Sequence, residues 1–293
     1  MDLGNADIGG TWSHPAHHGK SAAFFALLLK AMRRLRREGV ATFLKHVAGV
    51  LTTTLRRQAN FAFDQKYRTD TVGRLDLDEL MLDSATLPKV NWYEPTPLCA
   101  LKEFDRLLSL PRNQYAFIDI GCGKGLPLLV AAAAGYRRVI GLEISPLLCR
   151  IAKENVSRYR QRRKSVSDIQ VLNCDATKFE LPPLPCLLYF YNPFKLELMQ
   201  QMVRNVIGSS AGCPRPIYLV FLNPTVIHDF ELPPELEKVA ERAPNWRRPG
   251  LLIFRVSMGL IRAPHPYESA SIGADSRALN DDKRHFEPAL GVN

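Results

Sequence analysis

Three glycines alternate with other residues in the segment Phe117-Ile118-Asp119-Ile120-Gly121-Cys122-Gly123-Lys124-Gly125. Glycine has no Cβ, so a backbone with this spacing can turn tightly and come close to a ligand. The dinucleotide spacing GxGxxG would need a third glycine at position 126, where this chain has Leu126. The acid before the turn would repel a pyrophosphate but suits a ligand with an ammonium group. We therefore predict that such a ligand is bound by Asp119, Gly121, Gly123 and Gly125.

Three further polar residues follow apolar runs in chain order, namely Glu143, Asp175 and Asn192. A carboxylate at Glu143, after the second run, can accept both hydroxyls of a ribose. Asp175 follows the third run and can accept a hydrogen bond from an adenine amino group. Each of the three has an alternative role as a helix N-cap or turn residue. Their order at consecutive strand ends favours a nucleoside site, because ligands of open α/β sheets bind there.

Alternating apolar runs and helical patterns define the elements that must position these side chains. We predict strands at 117–120, 139–143, 169–173, 187–191, 217–222 and 251–256, and helices at 124–134, 146–159, 195–207 and 234–242. This alternation is typical of right-handed βαβ units. It predicts an α/β fold with a doubly wound, mainly parallel sheet that helices cover on both faces. Upstream, we predict helices at 21–38, 40–58 and 97–109, with a stop at Gly39 between the first two.

The region from about 90 to 260 resembles a class I, seven-stranded S-adenosylmethionine-dependent methyltransferase with a Rossmann-like sheet. The acid and three glycines described above match the family's first motif, Glu143 matches its ribose-binding acid and Asp175 its adenine-side acid. The resemblance implies the sheet order 3-2-1-4-5-7-6 with an antiparallel strand 7. It also implies S-adenosyl-L-methionine as cofactor and methyl transfer as the reaction, without specifying the acceptor.

A narrower resemblance concerns the string Tyr93-Glu94-Pro95-Thr96-Pro97. A similar string precedes the glycine turn in the disruptor-of-telomeric-silencing type of lysine methyltransferase and its smaller relatives. Those enzymes often carry an Asn-containing motif at strand 4, to which Asn192-Pro193-Phe194 is comparable. This resemblance implies that Tyr93 and Thr96 help to close over the cofactor. The same tripeptide half-resembles the Asn-Pro-Pro-Tyr motif of enzymes that methylate amino groups on bases or glutamine, but its second proline is absent.

Aromatic residues near Asn192 suggest a dry pocket for the methyl acceptor. A lysine with a pKa of about 10.4 must lose its proton to accept a methyl group, which costs about 4.6 kcal/mol at pH 7. Walls formed by Tyr191, Phe194, Trp92 and Tyr93 would lower this cost by disfavouring the ammonium form. We therefore predict Asn192, Tyr191 and Phe194 as catalytic residues, with the Asn192 amide oxygen orienting the acceptor nitrogen. Core packing is the alternative role of the aromatic side chains.

The net charge of +10 is concentrated before the predicted sheet. Residues 20–68 hold eleven basic and two acidic side chains, a net +9, and a second basic cluster spans 150–164. Both clusters can contact phosphates, although a solvated helix face is the commoner explanation. We divide the chain into a flexible tail at 1–20, a basic helical extension and cap at 21–90, the methyltransferase domain at 91–262 and a flexible tail at 263–293.

Length and composition exclude several classes of protein. The 293 residues are 46% hydrophobic and 23% charged, which excludes full disorder and a small disulfide scaffold. Apolar runs such as 21–29 are shorter than the roughly 20 residues of a membrane-spanning helix, so we expect no stable membrane insertion. The six cysteines are dispersed without a CxxC pair, so we expect reduced thiols in a cytoplasmic protein and no metal site. His228, beyond the fifth predicted strand, is a weaker candidate base.

The sequence supports one main hypothesis and keeps others open. The main one is an S-adenosylmethionine-dependent methyltransferase acting on a nitrogen acceptor such as a protein lysine. An RNA or DNA base or a small molecule is the alternative acceptor. A hypothesis of another class is a non-catalytic basic protein on the same fold, which binds an anionic membrane surface or a ribosome through its basic helices. The sequence does not determine the oligomeric state.

Overall fold

The computed structural model describes residues 18–163, 167–224, 230–245 and 248–257. These residues contain a seven-stranded sheet made of β1 Ala116–Ile120, β2 Arg138–Glu143, β3 Ile169–Asn173, β4 Cys186–Phe190, β5 Ile217–Leu222, β6 Leu236–Arg242 and β7 Leu251–Val256. The strand order is β3-β2-β1-β4-β5-β7-β6. The first five strands are parallel, and β7 is antiparallel to both of its neighbours. The sheet order implied by the methyltransferase resemblance is therefore confirmed.

Helices cover both faces of the sheet because the central strands are apolar on both sides. Every residue of β1 and β4 is buried. Phe117 points to a core formed with α2 (Leu98–Leu108), α3 (Leu126–Ala134) and α4 (Pro146–Arg162). Its neighbour Ile118 points to a second core formed with α5 (Leu196–Gly212). The predicted doubly wound α/β architecture is thus confirmed, and β1 is at its centre.

The N-terminal helix α1 spans His18–Tyr67 and is interrupted at Gly39, whose φ of 78° is not helical. The predicted stop at Gly39 is therefore confirmed. The predicted end at residue 58 is wrong, because the helix continues for more than two further turns. Those turns carry Phe63 and Tyr67, whose rings pack against Tyr159 of α4 with centroid distances of 5.9 and 4.5 Å. Tertiary packing of this aromatic pair stabilises helix beyond the residues for which the apolar periodicity predicts one.

The helix predicted at 234–242 is wrong, because this segment forms strand β6. Its glutamates, lysine and alanine favour a helix in isolation. Tertiary contacts override this local helix propensity, as they commonly do. β6 pairs antiparallel with β7 from Leu236↔Val256 to Arg242↔Leu251, and Glu237 bonds Arg255 at 2.7 Å across the strands. The charged side chains also suit an edge strand, since they discourage further pairing.

The segment between α1 and α2 packs on the sheet domain. It forms isolated bridges that pair Leu75 with Tyr93 and Val90 with Phe194. The boundary predicted between residues 90 and 91 therefore falls inside a packed segment. Residues 18–20 of the predicted N-terminal tail belong to α1, while residues 1–17, the predicted tail at 263–293 and His228 lie outside the described residues. Within the described ranges, no helix combines the length and apolarity needed to cross a membrane.

Candidate functional site

A cavity lies at the carboxyl ends of β1, β2 and β4 and beside the segments that follow β3 and β4. All of the predicted site residues except Gly125 line it, together with Leu80, Leu82, Val90, Asn91, Trp92, Glu94, Cys122, Leu126, Pro127, Leu142, Ile144, Leu148, Cys174, Ala176, Pro193 and Leu198. This is the position at which open α/β sheets bind ligands. The topology therefore brings together residues that are more than a hundred positions apart in sequence.

The glycine turn joins β1 to α3 with backbone angles that favour glycine. Gly121 and Gly123 have φ values of +73° and +53°. A Cβ on Gly121 would lie 2.7 Å from the Cβ of Pro193, and a Cβ on Gly123 would lie 2.3 Å from the Cε2 of Tyr93. Both distances are shorter than any van der Waals contact. The two glycines therefore allow two other segments of the chain to approach the turn closely.

Gly125 has a packing role that the sequence pattern did not indicate. It is the N-cap of α3 with φ of +87°, and a Cβ there would lie 3.3 Å from the Cβ of Ala152 in α4. Gly125 is not among the residues that line the cavity. The third glycine of the turn thus allows the close packing of α3 on α4, and its contact with the cofactor stays a prediction.

Asp119 is a buried acid at the end of β1. Its Oδ2 has no hydrogen-bond partner among the described residues. Burial, and to a lesser extent the nearby charge of Glu143, raises the pKa of Asp119 well above its usual range. An unsatisfied carboxylate at a cavity wall is costly until a cation or a donor reaches it. Asp119 therefore fits the ammonium group of the expected ligand.

Glu143 holds the glycine turn and the start of α4 together. Its Oε2 accepts a hydrogen bond from Gly123 N at 2.8 Å, and its Oε1 accepts one from Ser145 N at 2.9 Å. Burial raises the pKa of Glu143, and these backbone N–H groups oppose the shift by stabilising the carboxylate. Each carboxylate oxygen has a second acceptor site, so the side chain can hold the turn and still accept ribose hydroxyls.

Asp175 has the capping role that its sequence position allowed. Its Oδ1 caps a short 3-10 turn at Ala176–Lys178, accepting hydrogen bonds from Thr177 N at 2.9 Å and from Thr177 Oγ1 at 2.7 Å. Its Oδ2 lies 3.9 Å from Nζ of the exposed Lys178. The residue also lines the cavity. Capping fixes the carboxylate at the cavity wall, where it can accept from an adenine amino group.

A loop at Thr69–Gly73, which we call the clasp, covers the glycine turn. Its conformation depends on Asp64, a buried acid near the end of α1. Asp64 Oδ1 accepts from the hydroxyls of Thr69 at 2.7 Å and Thr71 at 2.8 Å. Asp64 Oδ2 accepts from the backbone N–H groups of Thr71 at 2.7 Å and Val72 at 2.9 Å. One carboxylate thus satisfies four donors of the clasp.

Two further side chains join the clasp to the glycine turn. Lys124 Nζ donates to the Val72 carbonyl at 3.0 Å and lies 3.1 Å from Asp70 Oδ1. Asn155 of α4 donates through Nδ2 to the carbonyls of Asp70 at 2.8 Å and Lys124 at 2.9 Å, and its Oδ1 accepts from Asp70 N at 2.7 Å. The clasp is therefore fixed to both α4 and the turn.

Tyr93 links the clasp to the cavity. Its hydroxyl donates to the Thr71 carbonyl at 2.8 Å, and its ring lies against Gly123. Thr96 is buried at the cavity wall, and its carbonyl accepts from Asn60 Nδ2 of α1 at 2.8 Å. Both residues are placed where the prediction of a closing role requires them. That role itself stays a prediction.

The segment after β4 forms the opposite wall. Asn192 has φ of +47°, and its carbonyl accepts from Asn91 Nδ2 at 2.9 Å. Tyr191 packs at the edge of one core, and burial raises the pKa of its hydroxyl above the usual range. Phe194 is buried in the other core. The aromatic side chains therefore both pack in the cores and line the cavity.

Sequence reasoning missed several residues of the site. It assigned no role to Asp64, Lys124 or Asn155, because each acts through contacts with distant segments. A signal was present in Thr69-Asp70-Thr71-Val72-Gly73, whose residue types favour turns and side-chain to backbone hydrogen bonds. Glu94 was likewise not predicted as a site residue, although it lines the cavity beside Tyr191. The described residues contain no cluster of His, Cys, Asp and Glu suited to a metal ion.

Comparison with known proteins agrees with this description. Residues 117–207 match the family described as methyltransferase domain. The chain is 34% identical over 77 residues to the ribosomal protein L11 methyltransferase of Alkaliphilus metalliredigens, a match that covers 26% of this chain and only 22% of that protein. This chain therefore spans about a fifth of the curated relative that it matches.

Two solved structures are similar to part of the chain. One is an RNA methyltransferase from Salinibacter ruber in complex with S-adenosyl-L-homocysteine, with 14% identity, a TM-score of 0.40 and coverage of 56% of this chain and 94% of the other. Another is magnesium protoporphyrin IX methyltransferase from Synechocystis PCC 6803 with bound S-adenosylhomocysteine, with 13% identity, a TM-score of 0.37 and coverage of 54% and 81%.

The family match begins at β1 and ends within α5, so it contains the glycine turn, Glu143, Asp175 and Asn192. The sheet around it has the strand order that the class I methyltransferase resemblance implies. An unpartnered buried acid, a turn of glycines and two further acids stand at the strand ends, as an S-adenosylmethionine site requires. This chain thus carries a class I, Rossmann-like S-adenosylmethionine-dependent methyltransferase domain.

Proposed function

We propose that this protein is an S-adenosylmethionine-dependent methyltransferase whose acceptor is a nitrogen, most favourably the side-chain amine of a protein lysine. The observation that carries the proposal is the composition of the cavity. Its lining combines the three acids Asp119, Glu143 and Asp175 with aromatic side chains, an asparagine and a further carboxylate. We assign the three acids to an amino acid joined to a nucleoside, in what we call the cofactor half, and the second set to an amine, in what we call the acceptor half.

The cofactor half of the cavity can bind S-adenosylmethionine through carboxylates and backbone groups. Asp119 provides a buried negative charge for an ammonium group, Glu143 accepts from ribose hydroxyls and Asp175 from an adenine amino group. Gly121 and Gly123 let Pro193 and Tyr93 pack closely against the turn at this end of the cavity. S-adenosylmethionine, when bound, supplies a methyl group on a positively charged sulfur. The chain's task is then to align the acceptor with it, and alignment can supply roughly 7–11 kcal/mol of the barrier.

The acceptor half of the cavity suits an amine that must become neutral. Trp92 and Tyr191 line it as aromatic walls, and Asn192 lies between Tyr191 and the turn at Pro193. Such walls exclude water and disfavour the ammonium form. The Asn192 amide oxygen can orient an N–H of the acceptor. Glu94 is a carboxylate at the same wall, so it can attract a cationic side chain to the cavity.

A protein acceptor is favoured over a nucleic acid by the state of the second basic cluster. Arg150 and Arg158 both pair with Glu154, at 3.5 and 3.3 Å, and Arg160 pairs with Asp168 at 2.8 Å. These arginines are thus already in surface ion pairs, which reduces the positive charge available to phosphates. The curated relative, which this chain matches over 22% of its length, is named a ribosomal protein L11 methyltransferase. This name supports a protein acceptor.

The experiment that tests the proposal combines the purified protein, S-adenosylmethionine with a labelled methyl group and a lysate of methyl-depleted cells. Protease treatment of one half and nuclease treatment of the other separate the two acceptor classes. We expect the label to be lost from the macromolecular fraction after protease but not after nuclease, and methyllysine to appear after acid hydrolysis.

Other outcomes have defined meanings. Label sensitive to nuclease would contradict the protein acceptor and favour an RNA or DNA base. Label in the small-molecule fraction would favour a small acceptor. Failure to bind S-adenosylmethionine in calorimetry would contradict the activity itself and favour the non-catalytic alternative.

A further inference from the structure

The part of α1 after Gly39 exposes a row of aliphatic side chains. We call the set Val40, Leu44, Val47, Leu51 and Leu55 the stripe. Its members recur at steps of three and four residues, so they share one face of the helix. Their exposed fractions lie between 37% and 64%. The row extends for about 23 Å along the helix at 1.5 Å per residue.

The stripe has no cover from the methyltransferase domain. Among the side chains described between residues 36 and 59, none is buried. The first buried one in this direction is Asn60, which bonds the Thr96 carbonyl. Exposed large apolar residues elsewhere, such as Leu107 and Leu232, stand singly. Single exposed apolar residues are ordinary, whereas a contiguous apolar row indicates a binding surface.

Positive charge accompanies the stripe. Arg36 and Arg37 precede the stripe across the break at Gly39, and Arg57 follows it by two residues; all three are exposed. The surrounding segment 20–68 has a net charge of +9. Like charges oppose the packing of this helix against a second copy of itself. A nucleic acid would use the arginines but would leave five aliphatic side chains without a role. An apolar row flanked by cations is the pattern of helices that lie in an anionic lipid interface.

We propose that α1 binds a membrane surface that contains anionic lipids, with the stripe inserted among the acyl chains and the arginines at the headgroups. The protein would then be peripheral, since the described helices do not have the apolar length to cross a bilayer. Binding at an interface needs only a buried apolar face and attraction to negative headgroups. The proposal rests on α1 alone and does not depend on the methyltransferase activity.

Vesicle flotation with the full-length protein tests this proposal. The vesicles contain phosphatidylcholine alone or with 30% phosphatidylglycerol as the anionic probe. The stripe variant carries Leu44→Ser, Leu51→Ser and Leu55→Ser, and the matched control carries Leu107→Ser and Leu232→Ser on exposed apolar positions of the sheet domain. A charge variant carries Arg36→Gln, Arg37→Gln and Arg57→Gln. Circular dichroism and cofactor titration check that each variant remains folded.

We expect the wild type and the matched control to float with the anionic vesicles, and the stripe variant to bind them at least tenfold less. The charge variant is expected to lose most of the preference for anionic over neutral vesicles. Three results would overturn the proposal. One is no flotation of the wild type at low salt, and another is equal flotation of the stripe variant. The third is a wild-type oligomer that the stripe substitutions convert to monomers, since the stripe would then bind a second copy.

Discussion

The ring of Tyr93 lies against the Cα of Gly123, so closely that a methyl group on Gly123 would be 2.3 Å from the ring carbon Cε2. The same tyrosine donates its hydroxyl to the Thr71 carbonyl of the clasp. The glycine turn is therefore in contact with a segment that precedes it by thirty residues. This contact makes the turn part of one packed structure with Tyr93 and the clasp.

Replacement of Gly123 by alanine tests the contact directly. The new Cβ must displace Tyr93, so we expect the affinity for S-adenosylmethionine to fall at least tenfold in calorimetry. Gly135→Ala is the matched control, because Gly135 has a similar positive φ of +86° but nothing within 4 Å of the added Cβ. Both substitutions share a backbone cost of about 1 kcal/mol. An equal loss of affinity in both variants would contradict a specific role of the Tyr93 contact.

Replacement of Asp119 by asparagine should stabilise the free protein and weaken cofactor binding. The pKa of Asp119 is raised in the folded protein. At pH values between the ordinary and the raised pKa, the folded protein therefore holds more protons than the unfolded chain. Stability therefore falls as pH rises through that window. At pH values above that window, we expect Asp119→Asn to unfold at a higher urea concentration than wild type. This gain in stability should shrink as the pH falls through the window. Urea titrations at several pH values measure this difference.

The same variant also reports on binding. Loss of a charge-assisted hydrogen bond of about 1.5–3 kcal/mol predicts a decrease of roughly 10- to 150-fold in affinity for S-adenosylmethionine. Wild-type affinity should rise with pH as Asp119 ionises, whereas the variant should lose this contribution. A variant that is less stable than wild type at high pH, or that binds equally well, would be inconsistent with an unpartnered buried acid.

The clasp should depend on Asp64. In Asp64→Asn one oxygen becomes an NH2 group, which cannot accept from the backbone N–H groups of Thr71 and Val72. We expect the free energy of unfolding to fall by about 2–4 kcal/mol and amide exchange at residues 69–73 to accelerate. Asp83→Asn is the control, because Asp83 also accepts from a nearby hydroxyl and backbone N–H groups but is exposed. If both variants unfolded at the same denaturant midpoint as wild type, Asp64 would not be required to hold the clasp.

Asn192 should act on turnover more than on cofactor binding. Asn192→Ala removes the amide that we propose to orient the acceptor, so we expect a fall of roughly 100-fold in rate with cofactor affinity within about twofold of wild type. Asn223→Ala is a close control. Asn223 also follows a strand, precedes a proline and has a positive φ of +50°, but it does not line the cavity. An unchanged rate in Asn192→Ala, or an equal fall in both variants, would reject this role.

Local sequence patterns were sufficient for the parallel strands and most helices. β1 and β4 are apolar at every position but Asp119, and the turn of glycines marks the strand end at which the cavity lies. Glu143, Asp175 and Asn192 follow strands in chain order, so parallel topology alone brings them to the same edge of the sheet. The segment at 234–242 shows the limit of such patterns. Its residues favour a helix, and only pairing with β7 makes it a strand.

The sequence by itself determined six of the seven strands and the type of ligand, because these depend on residues next to one another in the chain or at successive strand ends. The tertiary structure alone decided how the clasp and Tyr93 pack on the glycine turn. The four hydrogen bonds from the clasp to Asp64, the contact of Tyr93 with Gly123 and the packing of Gly125 on Ala152 join residues that no local pattern relates. It also decided that the stripe on α1 is exposed, since an apolar periodicity predicts a shared face but does not say what covers it.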